Sequence, residues 1–286
     1  MTIALSLKVN DGVVLATDSA STLVAQQPSG PPTVVQVYNN AIKVFNLRKG
    51  LPIGAVTWGA GSIGRASIST LLKDLRSRFS GQDQSHSGWT ISPEHYTVSG
   101  VADRLKEFIH GECYVPAFGS WPTKPVLGFV VAGYSSGVDM AEEWRLDIDA
   151  QGTCTGPTEV RPRDQCGATW NGEPEAISRL LLGYSPALST VLEKQLSVPK
   201  AQIPQAMQIV AQHLRAEVIA DSMPIQDAID LAYFLVDVTE KFSRYTPGAA
   251  TVGGPIEVAA ITKHEGFKWV ERKYYYSRDV NPEGSP

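Results

Sequence analysis

A chain of 286 residues with 43% hydrophobic content can bury a substantial core, which excludes disorder except locally. A formal net charge of −4 and a pI near 5.8 argue against nucleic acid or an anionic membrane as the main partner. The cysteines, Cys113, Cys154 and Cys166, are odd in number and lack a C-x-x-C spacing, which suits a reducing cytosol better than a disulfide framework.

Residues 2–8 and 13–18 read as two strands joined by Asn10-Asp11-Gly12, a strong short hairpin signal. The Pro/Gly/Ser-rich stretch 26–32 reads as a loop, and residues 34–38, 42–46 and 52–58 as further strands. The apolar spacing of Ile68, Leu71, Leu72, Leu75 and Phe79 predicts a helix from about Ser62 to Phe79. After a polar loop over 80–96, a second helix is marked by Val98, Val101, Leu105, Phe108 and Ile109. Residues 125–134 and 141–149 are strands around a Ser-Ser-Gly turn. Helical patterns return over 173–182 and about 198–219, the latter inside a helical insertion spanning 184–222. Pro224 opens a helix whose buried face includes Ala228, Ile229, Ala232, Leu235 and Val236, and proline suits a first turn. Residues 255–262 and 267–272 close the chain as a hairpin, with residues 264–286 holding its second strand and a tail. Antiparallel hairpins and grouped helices favour one α+β domain over alternating βαβ units.

No apolar run reaches the roughly 18–20 residues that span a bilayer. The opening segment lacks the basic and apolar regions of a signal peptide, so a soluble cytoplasmic protein with no membrane partner is expected. The five histidines are scattered without metal-ligand spacing, and no metal site is expected.

Thr2 carries the chemistry. Removing Met1 would place a hydroxyl and a free α-amine on one residue, and such an amine titrates near roughly 7.7–8.0. That is a nucleophile and a base together. The pair needs a cation to hold a neighbouring pKa down, a carboxylate to hold the cation, and a backbone N–H facing the developing oxyanion. Asp18 at the end of the second strand, Lys43, and the turn Gly59-Ala60-Gly61-Ser62 offer these.

These segments in order resemble the proteasome β-subunit family. The matching residues are Thr2, Asp11-Gly12-Val13-Val14-Leu15-Ala16-Thr17-Asp18, Lys43 and Ala60-Gly61-Ser62. Val131-Ala132-Gly133-Tyr134 looks like the family's central strand, and Thr251-Val252-Gly253-Gly254-Pro255-Ile256 is similar to its bacterial ancestral-β-subunit branch. The resemblance implies the four-layer αββα sandwich of N-terminal nucleophile hydrolases and a threonine-type endopeptidase or amidase. It casts Thr2 as nucleophile, Asp18 as partner of Lys43, and Gly61 as oxyanion donor. Backbone around Ser21 and Gly61 would bind an extended peptide as an added strand. Gly59, lacking a side chain, would leave the first specificity pocket roomy. The implied partners are a peptide or unfolded protein substrate and the other copies of a homo-oligomeric ring. Whether an ATPase unfoldase feeds that ring is left open, and no cofactor is implied.

Where many family members carry Gly-Ser-Gly, this chain reads Trp170-Asn171-Gly172. Asn171 then hydrogen-bonds the Thr2 amine, caps the following helix, or does both. Asp237 and Thr251 stand nearest the family's later Asp and Ser. Two rival readings are a non-catalytic ring subunit of the same fold and an NAD-dependent oxidoreductase using Gly59-Ala60-Gly61-Ser62-Ile63-Gly64. The second lacks the following parallel strand with a terminal acidic residue that a dinucleotide fold requires.

Overall fold

The Asn10-Asp11-Gly12 turn joins β1 (Ile3–Val9) to β2 (Gly12–Thr17), and the tight turn fixes an antiparallel register with Ala4 opposite Thr17. The structure, a computed structural model, describes residues 2–25 and 33–273. The predicted loop 26–32 and tail 274–286 lie outside the described residues.

Next come β3 (Ser21–Ala25), which the sequence reading missed, β4 (Thr33–Tyr38), β5 (Val44–Asn46) and β6 (Ile53–Gly59). The helix expected from Ser62 instead begins at Ile68. Ser62–Ile63 (β7) and Ala66–Ser67 (β8) form a small hairpin before α1 (Ile68–Phe79). The reason is local: Gly64 sits at φ +57°, outside right-handed helix, and the Ser67 hydroxyl caps α1 by accepting from the Thr70 N–H at 3.1 Å. The expected loop 80–96 holds a 3₁₀ segment, Gln84–Trp89. α2 (Val98–Lys106) runs on through a π-helical stretch, Glu107–Tyr114, into α3 (Val115–Phe118).

Then follow β9 (Leu127–Gly133), β10 (Glu142–Ile148), β11 (Cys154–Glu159), β12 (Gly167–Gly172), α4 (Glu175–Leu181) and α5 (Leu188–Lys194). α6 (Ile203–Leu214) is shorter than the expected 198–219. The chain leaves the helix at Arg215, and the Ala216 N–H bonds the Leu181 carbonyl at 2.9 Å. α7 (Ile225–Tyr245), β13 (Glu257–Thr262) and β14 (Gly266–Glu271) complete the described chain, with Pro224 as the N-cap of α7.

The fold mixes helices with antiparallel sheets. One five-stranded sheet has the order β12-β1-β2-β13-β14, and a second β11-β10-β9-β6-β5. Their central strands are buried along their whole length, so the period of two is hidden in the sequence. Contacts restore it. Ile3, Leu5 and Leu7 of β1 pack with Ala228, Ala232 and Leu235 of α7, whereas Ala4, Val13 and Leu15 pack with Val56 and Val130 of the other sheet. The opposite side of that second sheet, including Ala55, Phe129 and Val131, packs with Leu72 and Leu75 of α1 and Val101 and Leu105 of α2. Among the described residues, no helix is long and apolar enough to cross a membrane.

Candidate active site

The hairpin register decides where Thr2 lies. With Ala4 opposite Thr17, the residues flanking the strands, Thr2 and Asp18, meet at the open end of the β1–β2 hairpin. The Ile3 N–H donates to Asp18 Oδ1 at 3.0 Å, and the Thr2 hydroxyl donates to the same oxygen. Backbone N–H groups of Ala20 and Gly253 donate to Oδ2 at 3.0 and 3.1 Å. Asp18 has no exposed surface, and its carboxylate is fixed by backbone N–H groups from three segments.

Lys43 was expected inside a strand, but β5 begins one residue later. Its carbonyl accepts from the Thr57 N–H at 3.0 Å, which anchors the backbone at the end of the second sheet. The side chain reaches the first sheet. Its ammonium lies 2.7 Å from Asp18 Oδ1 and donates to Thr2 Oγ. Burial pushes the Lys43 pKa below its ordinary value of 10.5, and the Asp18 carboxylate opposes that shift. Thr2 Oγ therefore sits between a carboxylate that accepts its hydrogen bond and a cation that stabilises negative charge on it.

A cavity of about 350 Å³ opens over this group, lined by Thr2, Ser21, Lys43, Trp58, Gly61 and Val126 among others. Gly61 turns the chain out of β6, its carbonyl accepting from Ile68 N–H at 3.0 Å. Its own N–H meets no acceptor among the described residues. A Cβ on Gly61 would sit 3.1 Å from Ser21 Oγ, so β3 and the Gly61 turn form facing edges of the opening.

Gly59 also lines the cavity, and the backbone there requires glycine in its own right. Its φ is +93°, and a Cβ there would lie 2.3 Å from the Val126 carbonyl oxygen. Close backbone approach at a positive φ demands glycine at this position. The run Gly59–Gly64 leads into the β7–β8 hairpin and not into a helix. It therefore lacks the helix N-terminus on which a dinucleotide pyrophosphate rests.

Asn171 does not cap α4. It lies within β12, opposite Ala4 of β1, and extended backbone three residues upstream cannot cap the helix; Pro174 holds that position with no side-chain cap bond. By strand alternation Asn171 faces the same side as Ala4 and Thr2. Its Nδ2 is buried with no hydrogen-bond partner among the described residues. Gly172 packs against Thr2 so closely that a Cβ would fall 1.9 Å from the Thr2 carbonyl oxygen. Asp237 is no part of this group: it pairs with Lys241 one turn along α7 at 2.6 Å. Thr251 is buried two residues before Gly253, whose N–H holds Asp18.

Three participants escaped the sequence reading. Ser19 follows Asp18 and is buried, Glu257 faces inward at the start of β13 opposite Thr17, and Lys273 follows β14. A charge between Ile256 and Val258 was a usable signal for Glu257. Lys273, in the charged run Glu271-Arg272-Lys273, reads as solvated. Among the described residues, no group of three or more His, Cys, Asp or Glu side chains is placed to hold a metal. A larger cavity of about 520 Å³ beside α2 is lined by Glu94, His95 and Arg104, but the Arg104 guanidinium donates to the Trp89 carbonyl at 2.7 Å.

No family model matches the chain. No curated protein matches it either.

Proposed function

We propose that this chain is a threonine-type hydrolase of the proteasome β-subunit kind, cleaving peptide or amide bonds through Thr2. The observation that carries the reading is Thr2 Oγ held between Asp18 and the buried Lys43 ammonium at the floor of a cavity. The finer fold reading, a four-layer αββα sandwich, is supported by three packing clusters: helices on one sheet, sheet against sheet, and helices on the other.

The chemistry requires the Met1–Thr2 bond to be opened, so that Thr2 carries a free α-amine. Thr2 Oγ then attacks the substrate carbonyl, forming the C–O bond as its proton passes to the amine. Lys43 lowers the cost of charge on Oγ, and Asp18 holds Lys43. The Gly61 N–H receives the oxyanion, and loss of such a donor costs on the order of 10²–10³ in rate. The C–N bond breaks, the amine returns its proton to the leaving nitrogen, and water hydrolyses the acyl ester. The edges at Ser21 and Gly61 would accept an extended peptide as an added strand. Apolar walls from Trp58, Ile68 and Val126 suit an uncharged side chain beside the scissile bond.

The test is the intact mass of the purified protein after incubation with a peptide epoxyketone, which needs both a hydroxyl and a free α-amine to close its ring. Loss of Met1 with one adduct per chain is the expected result. A free Thr2 amine with no adduct and no peptide hydrolysis would overturn the reading in favour of a non-catalytic ring subunit.

A further inference from the structure

We propose that Lys273 is a positioning residue for the Thr2 site, clamping together the two segments that present Asp18 and Lys43. The role it assigns rests on the reading of Thr2 as nucleophile. The Lys273 side chain is buried, and its ammonium meets polar groups of three different segments through two hydrogen bonds and one ion pair. It donates to the Ser19 hydroxyl, one residue from Asp18, and to the Ala41 carbonyl, two residues from Lys43. The Glu257 carboxylate, on the strand that pairs with Thr17, is an ion-pair partner at 3.4 Å whose Oε2 has no hydrogen-bond partner among the described residues. The two presenting segments already touch through the Ala41 N–H and the Ser19 carbonyl at 2.9 Å. Lys273 holds both segments at that contact.

The same placement acts on the chemistry. The charged groups facing Lys43 are Asp18, Lys273 and Glu257. Lys273 disfavours the Lys43 ammonium as a like charge, while Asp18 and Glu257 favour it, and Lys273 is the stronger of the two more distant groups. A plain staple tying β14 to the body would leave the titration of Lys43 where it is. A positioning cation would not.

The experiment compares wild type, Lys273→Met and the double variant Lys273→Met/Glu257→Gln, the last leaving no buried carboxylate unpaired if the single variant fails to fold. Peptide hydrolysis is followed against substrate concentration. The pH dependence of Lys43 acetylation by acetic anhydride is read residue by residue by mass spectrometry. The expected result is kcat lowered about 10- to 100-fold with KM little changed, and a Lys43 midpoint moved to higher pH. A folded variant with wild-type kcat would overturn the proposal, and so would a Lys43 midpoint left unmoved in Lys273→Met, where Glu257 is still present. If wild type itself hydrolyses nothing, the functional reading fails, while the Lys43 midpoint still decides whether Lys273 tunes the cluster.

Discussion

Replacing Asp18 by Asn tests the electrostatics of the site without reference to any reaction. The carboxylate is wholly buried and receives five donors: the Thr2 hydroxyl, the Lys43 ammonium and the N–H groups of Ile3, Ala20 and Gly253. An amide has one acceptor oxygen. Whichever way it is turned, its NH₂ meets either the Ala20 and Gly253 N–H groups or the Ile3 N–H with Lys43. The substitution also strands a buried ammonium, and breaking a buried pair from one side costs about 3–5 kcal/mol. Against a total stability of about 5–15 kcal/mol this is a large fraction. At about 2–4 °C per kcal/mol it lowers the melting temperature by about 6–20 °C. The assay is calorimetry on wild type, Asp18→Asn, Lys43→Met and the double variant. Removing both charges should recover at least half of the loss, because no uncompensated ion then remains. An Asp18→Asn protein melting within about 2 °C of wild type would refute the reasoning, as would a double variant no better than the two losses added.

Thr2→Ala abolishes peptide hydrolysis with the fold intact and Thr2→Ser keeps a measurable fraction, both read in one fluorogenic peptide assay; an active Thr2→Ala protein would remove Thr2 from the mechanism. Gly172→Ala forces a side chain at φ +96° into the Thr2 carbonyl, and is expected to cost about 1–3 kcal/mol and to slow epoxyketone capture sharply. Because the folded pKa of Lys43 lies below 10.5, the unfolded chain binds more protons in the window just under that value, so stability rises with pH there. Urea midpoints in that window should climb less steeply for Lys43→Met. Glu257 has the opposite sign: burial raises its pKa above 4.5 despite Lys273, so the folded state holds the extra proton and stability falls as pH rises from 4.5 through the raised value. Glu257→Gln should flatten that fall in the same titration.

Half of the site was legible because it is local. A two-residue turn sets the register, the register sets which residues flank the strands, and Thr2 with Asp18 follows without knowledge of the rest of the fold. Lys43 was legible only as a motif position. Its meeting with Thr2 spans 41 residues and depends on one sheet stacking on the other, which no local pattern encodes. β11 and β12 went unread because Cys-Thr-Gly-Pro-Thr-Glu and Gly-Ala-Thr-Trp-Asn-Gly carry little apolar alternation; sheet pairing to β10 and β1 holds them extended. That pairing overturned the cap reading of Asn171. The helix is expected from Ser62 and starts at Ile68 for a converse reason, since one glycine at φ +57° interrupts an otherwise good helical pattern.

A second buried cluster shows what sets the Thr2 group apart. Between the sheets the Ser6 hydroxyl donates to Glu143 at 2.5 Å, and the Arg161 guanidinium pairs with the same carboxylate at 2.6 Å. The ingredients match those at Thr2: a hydroxyl, a carboxylate and a cation, all in a sheet interior. Here, however, the cation is a planar guanidinium fixed at once on the Glu143 carboxylate and the Thr169 hydroxyl. Ser6 is only 1% exposed. At Thr2 the cation is a lysine whose burial has already moved its titration downward, and the hydroxyl faces a cavity. Buried ion pairs return little net stability, so neither cluster is kept for the energy of its pairs alone. The Ser6 trio closes the space between the sheets, whereas the Thr2 group holds the same chemistry open at their end. Activity should therefore survive Ser6→Ala and not Thr2→Ala, although both remove one buried hydroxyl.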